Sequence, residues 1–302
     1  MRRIWMAVLV LLWSQGTGAA CRVEQRARIG LDVVGGTVMV PVQINERTAT
    51  MILDTGAQRS VVTRDAVVKL DLALDEWVAT TMRGVGGLER HRNALPRSIS
   101  FGGLKLERRT TTRDTSLTVA SLPRAQMGGR QIDGLLGRDF LSLYDLELDI
   151  RSKSVALYAV QDCTRAFLPW TSPYIQLPVQ NPTDTALVVI VELDGVGLRA
   201  LLDTGASETV LGSPGIARLG LTPEVLARDP SHSASGMGPR VVTTQRHRFK
   251  RFRVGNIVTL DPLLWVAPIR ITPIVDMLLG ADWLSQHVVW ISFTNHQVYV
   301  MR

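Results

Sequence analysis

Apolar and polar positions alternate along VPVQI (40–44), with Val40, Val42 and Ile44 on one face, and again along VIVEL (189–193), with Val189, Val191 and Leu193. A period of two is that of a strand with one buried face. A turn follows each time, Asn45-Glu46 in the first stretch and Asp194-Gly195 in the second. The chain then returns through a strand whose last residues, Ile52-Leu53 or Leu201-Leu202, stand directly before an aspartate. Thr63 is placed to cap a short helix predicted over 63–70, and a similar helix is expected to end at Leu219. Next comes a hairpin with a glycine-rich tip, RGVGG (83–87) or SGMGP (235–239). Further short strands lead to a Leu-Leu-Gly segment, a brief helix and a final strand pair ending near Tyr158 or Val300. Pro169 and Pro173 mark 161–173 as a linker between the two stretches.

The two stretches are one pattern written twice. A shift of 149 positions (203 − 54) aligns VPVQINERTATMILDTGAQRSVV (40–62) with VIVELDGVGLRALLDTGASETVL (189–211) without a gap. The same shift carries KLDL (69–72) onto RLGL (218–221). IDGLLGRDFL (132–141) matches VDMLLGADWL (275–284) at a shift of 143 (275 − 132), so the second copy is shorter by six residues (149 − 143). Tandem duplication accounts for this order. The expected organisation is a signal peptide over 1–20, a first lobe over 22–160, the linker, and a second lobe over 174–302.

Composition is that of a globular chain, 46% hydrophobic and 20% charged. Arg2 and Arg3, an apolar run from Ile4 to Trp13, and Gly18-Ala19-Ala20 read as a secretory signal with its cleavage site. This predicts an exported, periplasmic or cell-envelope protein. The first of the two cysteines, Cys21, follows that site directly. It is open to two readings: a lipid-bearing first residue attached to the envelope, or a disulfide with Cys163 in an oxidising compartment. The disulfide is preferred, because Gly18 departs from the lipid signal and a lipid would leave Cys163 unpaired. Two cysteines without a neighbouring histidine exclude a zinc site, so no metal is expected. Residues 22–29 are expected to be only a lead-in to the first strand, too short for an inhibitory pro-segment. The net charge is +7, concentrated in RHRFKRFR (246–253). That run is read as a solvated edge strand rather than a nucleic-acid site.

The duplicated aspartates carry the chemistry. One aspartate after an apolar strand is an awkward acid, poorly hydrated and hard to ionise. Two brought face to face share one proton, so that one acts as base toward a water and the other as acid toward a carbonyl oxygen. That chemistry requires no cofactor. With apolar-apolar-Asp-Thr-Gly-Ala twice, a glycine-rich hairpin after each, and apolar-Leu-Leu-Gly before each short helix, the chain resembles the retropepsin-like aspartic proteases. It looks like two retroviral-protease-type lobes fused in one polypeptide.

The resemblance implies an all-β bilobal fold of two pseudo-twofold-related β-barrel lobes with short helices. It implies an endopeptidase acting on an extended peptide or protein substrate, and a monomer in which the lobes form a covalent pseudo-dimer. Carried over, Asp54 and Asp203 match the catalytic pair. Thr55 and Thr204 match residues that cross-link the active-site loops, with Gly56, Ala57, Gly205 and Ala206 supporting the carboxylates. Gly84, Val85, Gly86 and Gly87, and Gly236, Met237 and Gly238, match the flap tips. The second lobe departs from the pattern with Ala281 where the first has Arg138. The lobes also differ beside the aspartates, with Gln58 and Arg59 against Ser207 and Glu208. If these line the cleft, its two ends would prefer oppositely charged side chains. A non-catalytic peptide-binding or envelope-assembly module using the same cleft is the alternative, and loss of one aspartate would favour it. A serine hydrolase and a zinc peptidase are disfavoured by the lack of G-x-S-x-G and H-E-x-x-H.

Overall fold

The computed structural model describes residues 20–105, 116–122, 126–163, 167–180, 186–236, 240–270, 272 and 274–302. The signal-peptide reading, apart from Ala20, and two of the flap residues, Met237 and Gly238, lie outside them. The chain is mostly β, built from one ten-stranded sheet in each lobe and a six-stranded sheet shared between the lobes. In the first lobe, neighbouring strands run Val61–Val62, Gly134–Leu136, Arg47–Leu53, Thr37–Ile44, Ile99–Phe101. In the second they run Val210–Leu211, Met277–Leu279, Val196–Leu202, Val188–Leu193, Arg251–Val254, the same order.

Local chemistry explains each element. Val40, Val42 and Ile44 are buried while Pro41 and Gln43 are exposed, so the alternation is that of a sheet face on the core. Asn45 and Glu46 both have positive φ, as do Asp194 and Gly195, which is the tight hairpin turn matched to the strand twist. The first turn residue has a second task. Asn45 donates to the carbonyls of Leu70 and Asp71, and Asp194 accepts the N–H groups of Lys250 and Arg251. The helix Arg64–Lys69 is capped by Thr63, whose hydroxyl accepts from the Ala66 N–H at 3.1 Å. Its counterpart Ser213–Leu219 ends on Gly220 in the left-handed region, and a further short helix, Pro223–Leu226, follows it.

Two fully buried acids fasten these helices to the strands that lead into the Asp-Thr-Gly segments. Asp133 accepts the Thr50 N–H and the Lys69 ammonium, at 2.8 and 2.6 Å. At the matching place, Asp276 accepts the backbone N–H and guanidinium of Arg199 and the Nε of Arg218, all at 2.9–3.1 Å. Burial pushes the Asp276 carboxyl up, but Arg199 and Arg218 outweigh it and hold the pKa below its ordinary value. A depressed folded pKa contributes stability that is present above the unfolded value and is lost as pH falls through the folded one. Asp276→Asn is therefore expected to cost about 2 kcal/mol at pH 7 in urea unfolding, the scale of hydrogen bonds to a charged group. The gap to the wild type should start to narrow below about pH 3.9, the ordinary aspartate value, and close as pH falls through the lower folded one.

The shared sheet runs Arg22–Gly30, Ser154–Gln161, Asp145–Asp149 from the first lobe, then Val288–Ser292, Gln297–Met301, Tyr174–Leu177 from the second. Its central pair, Asp145–Asp149 with Val288–Ser292, is antiparallel and joins the lobes. Here one expectation is corrected. The residues after Cys21 are no lead-in but a nine-residue strand, paired from Arg22↔Gln161 to Gly30↔Ser154. The disulfide Cys21–Cys163 closes the end of that ladder, with Cα atoms 4.5 Å apart. The Cys21 sulfur is thereby engaged and cannot also carry a lipid thioether. Phe167 and Trp170, between the lobes, pack edge-on against Trp290 within a cluster that includes Tyr158 and Tyr299.

The basic run is also corrected. It spans two strands, Val241–Arg248 and Arg251–Val254, each paired on both sides, so neither is an edge. Its charges are solvated because they occupy one face only. Arg246, Arg248 and Arg251 point outward, while Phe249 and Phe252 are buried. Among the described residues, no helix is long and apolar enough to cross a membrane.

Candidate active site

Each Asp-Thr-Gly segment leaves a strand at a point braced by its Leu-Leu-Gly segment. Leu53 lies in register with Leu136 on a parallel neighbour, and the Asp54 N–H bonds the Leu136 carbonyl at 3.0 Å. Leu202 and Leu279 repeat this, with Asp203 N–H on the Leu279 carbonyl at 3.1 Å. The glycine closing the brace must be glycine. A Cβ on Gly137 would lie 2.8 Å from the Arg59 carbonyl carbon, and one on Gly280 would lie 2.4 Å from that of Glu208. The loop after each aspartate can therefore fold back across the brace.

A polar latch holds that loop. The Ser60 N–H and hydroxyl donate to Asp139 at 2.8 and 2.6 Å, and the Gly137 N–H donates to the Ser60 oxygen. In the second lobe, the Thr209 hydroxyl donates to Asp282 at 2.7 Å and accepts from the Gly280 N–H. Sequence reasoning passed over these four residues, although the repeat carries a signal for them. Ser60 and Thr209 align at the first shift, and Asp139 and Asp282 at the second.

The two loops meet. Thr55 and Thr204 are buried and exchange four hydrogen bonds across the lobes. The Thr55 hydroxyl donates to the Leu202 carbonyl at 2.9 Å and accepts the Thr204 N–H at 3.1 Å. The Thr204 hydroxyl donates to the Leu53 carbonyl at 2.5 Å and accepts the Thr55 N–H at 3.0 Å. Thr204→Val keeps the shape but strands one buried N–H and one buried carbonyl, so it should cost about 3 kcal/mol in denaturant unfolding. Thr55→Val should match it.

Above this cross-link the carboxylates of Asp54 and Asp203 are within hydrogen-bonding reach of each other. Asp54 Oδ1 accepts the N–H groups of Gly56 and Ala57 at 3.0 and 2.7 Å. Asp203 Oδ1 accepts those of Gly205 and Ala206 at 2.9 and 3.1 Å. Each loop glycine faces the opposite acid. A Cβ on Gly56 would lie 2.5 Å from the Asp203 carboxyl carbon, and one on Gly205 would lie 2.4 Å from that of Asp54. Burial raises the pKa of both acids. In Asp54 the N–H donors and the Arg138 charge work against that rise. Asp203 is lifted well above the ordinary range by burial and by the Asp54 charge together. Such a pair holds one proton between two oxygen acids at a pH where a lone aspartate would be ionised.

The glycine-tipped hairpins also meet. Gly84 to Gly87 turn the hairpin Ala73–Gly84 with Gly87–Leu95, and the strands Ser231–Ser235 and Val241–Arg248 form the other. The Arg240 N–H donates to the Gly86 carbonyl at 3.1 Å, and a Cβ on Gly236 would lie 2.8 Å from that of Val85. The hairpin tips of the two lobes therefore touch each other, as the two Asp-Thr-Gly loops do. Of the four residues beside the aspartates, Gln58 and Glu208 are exposed. The Arg59 guanidinium instead turns to Ser116, and the Ser207 hydroxyl lies 3.3 Å from that of Thr37. The expected contrast of charge therefore rests on Glu208 alone at the surface.

Set against known families, the chain matches the model described as aspartyl protease twice, over residues 40–140 and 189–283. No curated protein matches it.

Proposed function

The chain belongs to the aspartyl protease family as two retropepsin-like lobes in tandem, and from that premise we propose that it is an endopeptidase whose catalytic residues are Asp54 and Asp203. The observation that carries the reading is the facing pair of carboxylates, each fed by two backbone N–H groups and cross-linked beneath by Thr55 and Thr204.

The ionised member of the pair takes a proton from a water as that water attacks the scissile carbonyl carbon. The protonated member donates to the carbonyl oxygen, giving a neutral tetrahedral diol. Collapse then passes a proton to the departing amine, and the C–N bond breaks. The peptide lies extended between the lobes, where the hairpin tips close on it and bond its backbone as a strand would. Because one chain supplies both aspartates, the active unit is a monomer and activity does not depend on protein concentration. The disulfide suits an oxidising compartment and supports export.

The test is incubation of the purified, oxidised chain with a mixed peptide library from pH 4 to 8, with products read by mass spectrometry. Internal cleavage is expected, extending above the ordinary aspartate range because both acids are raised. A folded protein that cuts no peptide bond at any pH would overturn the proposal.

A further inference from the structure

In the sheet that joins the lobes, the first-lobe strand Asp145–Asp149 carries Asp145 and Glu147 on one face, and each accepts the indole N–H of a tryptophan. Glu147 accepts Trp170 Nε1 at 2.7 Å and is neutralised by the Arg28 guanidinium at 2.8 Å. Asp145 accepts Trp290 Nε1 at 3.3 Å and the Thr294 N–H at 3.1 Å, both from the second lobe. The hydroxyls of Ser292 and Thr294 are further neutral donors to it. Asp145 is fully buried, and among the described residues no lysine, arginine or histidine forms an ion pair with it.

We propose that Asp145 is a proton-operated fastening between the lobes, tight when the acid is protonated and loosened when it ionises. A buried carboxylate needs a cation or water to offset its lost hydration, and here only neutral groups surround it. Those donors favour the charged form, but burial outweighs them and raises the carboxyl above its ordinary value. Opening the joint returns the acid to water, where it ionises freely, so ionisation favours the open joint. The fastening stands without the peptidase reading and adds to it, because the first lobe supplies Asp54 and the second Asp203.

The titratable groups packed around Asp145 leave its charge uncompensated. In the neighbouring first-lobe strand Tyr158 stands opposite it, ring centre 4.5 Å from that of Trp290, and donates to Gln25. In the second lobe Tyr299 stands opposite Trp290, and its hydroxyl bonds Gln297. Phe167 and Trp170 pack edge-on against Trp290, and Tyr174 against Tyr299. Burial raises the hydroxyls of Tyr158 and Tyr299 above their ordinary values, so both are neutral wherever Asp145 titrates. Glu147 and Arg28 are paired with each other, and His296, two residues beyond Thr294, is exposed.

The test is amide exchange along the joint, over residues 145–149 and 288–292, with each rate referred to an unstructured amide at the same pH. Wild-type protection should fall with rising pH more steeply than that of Asp145→Asn, by up to about tenfold per pH unit, the limit for one proton. The difference should set in above about pH 3.9, the ordinary aspartate value, and leave Asp145→Asn the better protected chain at neutral pH. Both chains keep Asp54 and Asp203, so those acids cancel in the comparison. As a second reading, the Trp290 indole N–H resonance of the wild type should titrate with a midpoint above the ordinary aspartate value. Equal pH dependence in the two chains would overturn the proposal, and so would an indole resonance that stays still or moves only at or below that value. If Asp145→Asn does not fold, the indole titration decides alone. Neither reading involves turnover, so the peptidase reading fails separately, by absence of cleavage.

Discussion

Asp54→Asn and Asp203→Asn should each lower peptide cleavage by at least about 10³-fold, because either change removes one of the two proton-transfer partners that the reaction needs. Neither substitution disturbs the scaffold. The asparagine side-chain oxygen can still accept from the two loop N–H groups that now bond Oδ1 of Asp54 or Asp203. The accompanying change in stability runs opposite to ordinary damage. Both acids have folded pKa values above the unfolded ones, so the fold loses stability as pH rises from the unfolded value through the folded value. An asparagine cannot ionise and escapes that loss. The inactive variants should resist urea better than the wild type at neutral pH, and the advantage should vanish below the ordinary aspartate pKa. Loss of activity together with loss of stability would mean that the aspartates are held for structure.

Cys163→Ser should cost about 5 kcal/mol, the scale set by closing a loop whose ends lie 142 residues apart. The effect should be local before it is global. The strand Arg22–Gly30 is an outer strand of the shared sheet, with its pairing on one side only. Most of its side chains are exposed, so little apolar burial holds it in place. Amide exchange in the reduced or substituted protein should quicken first over residues 22–30, while the strands beside Asp54 and Asp203 keep their protection. Equal unfolding midpoints with and without reductant would show that the bond adds nothing.

That strand also marks where the sequence stopped being readable. VPVQI and VIVEL announce themselves because one face is buried and the other wet, and Thr63 announces a helix because its hydroxyl has one evident use. RVEQRARIG keeps such a face only over Ala27 and Ile29, and a register shift after Gln25 sets Val23 against a different cluster. Backbone pairing and a covalent tie make it a strand, and neither leaves a mark on hydrophobic pattern. The run at 246–253 misled in the other direction. Its arginines suggested an edge, yet a strand inside a sheet can charge one face freely if residues such as Phe249 and Phe252 fill the other. Within the site, the aspartates, the threonines and most flap glycines stood out because they are written twice. Ser60, Asp139, Thr209 and Asp282 are written twice as well, with Thr in place of Ser. They looked like ordinary turn residues, since the latch exists only once a loop and a helix start distant in the chain have met.

The shared sheet has a consequence for the timing of synthesis. Asp54 leaves the ribosome early, but Gly205, which packs against it, and Thr204, which bonds its neighbour Thr55, arrive some 150 residues later. The lobes are then clasped when strand Val288–Ser292 pairs with Asp145–Asp149 across the shared sheet. A nascent or truncated chain holds one acid without its partner, or both without their clasp. On the proposed reading, cleaving capacity is thus among the last properties the polypeptide acquires.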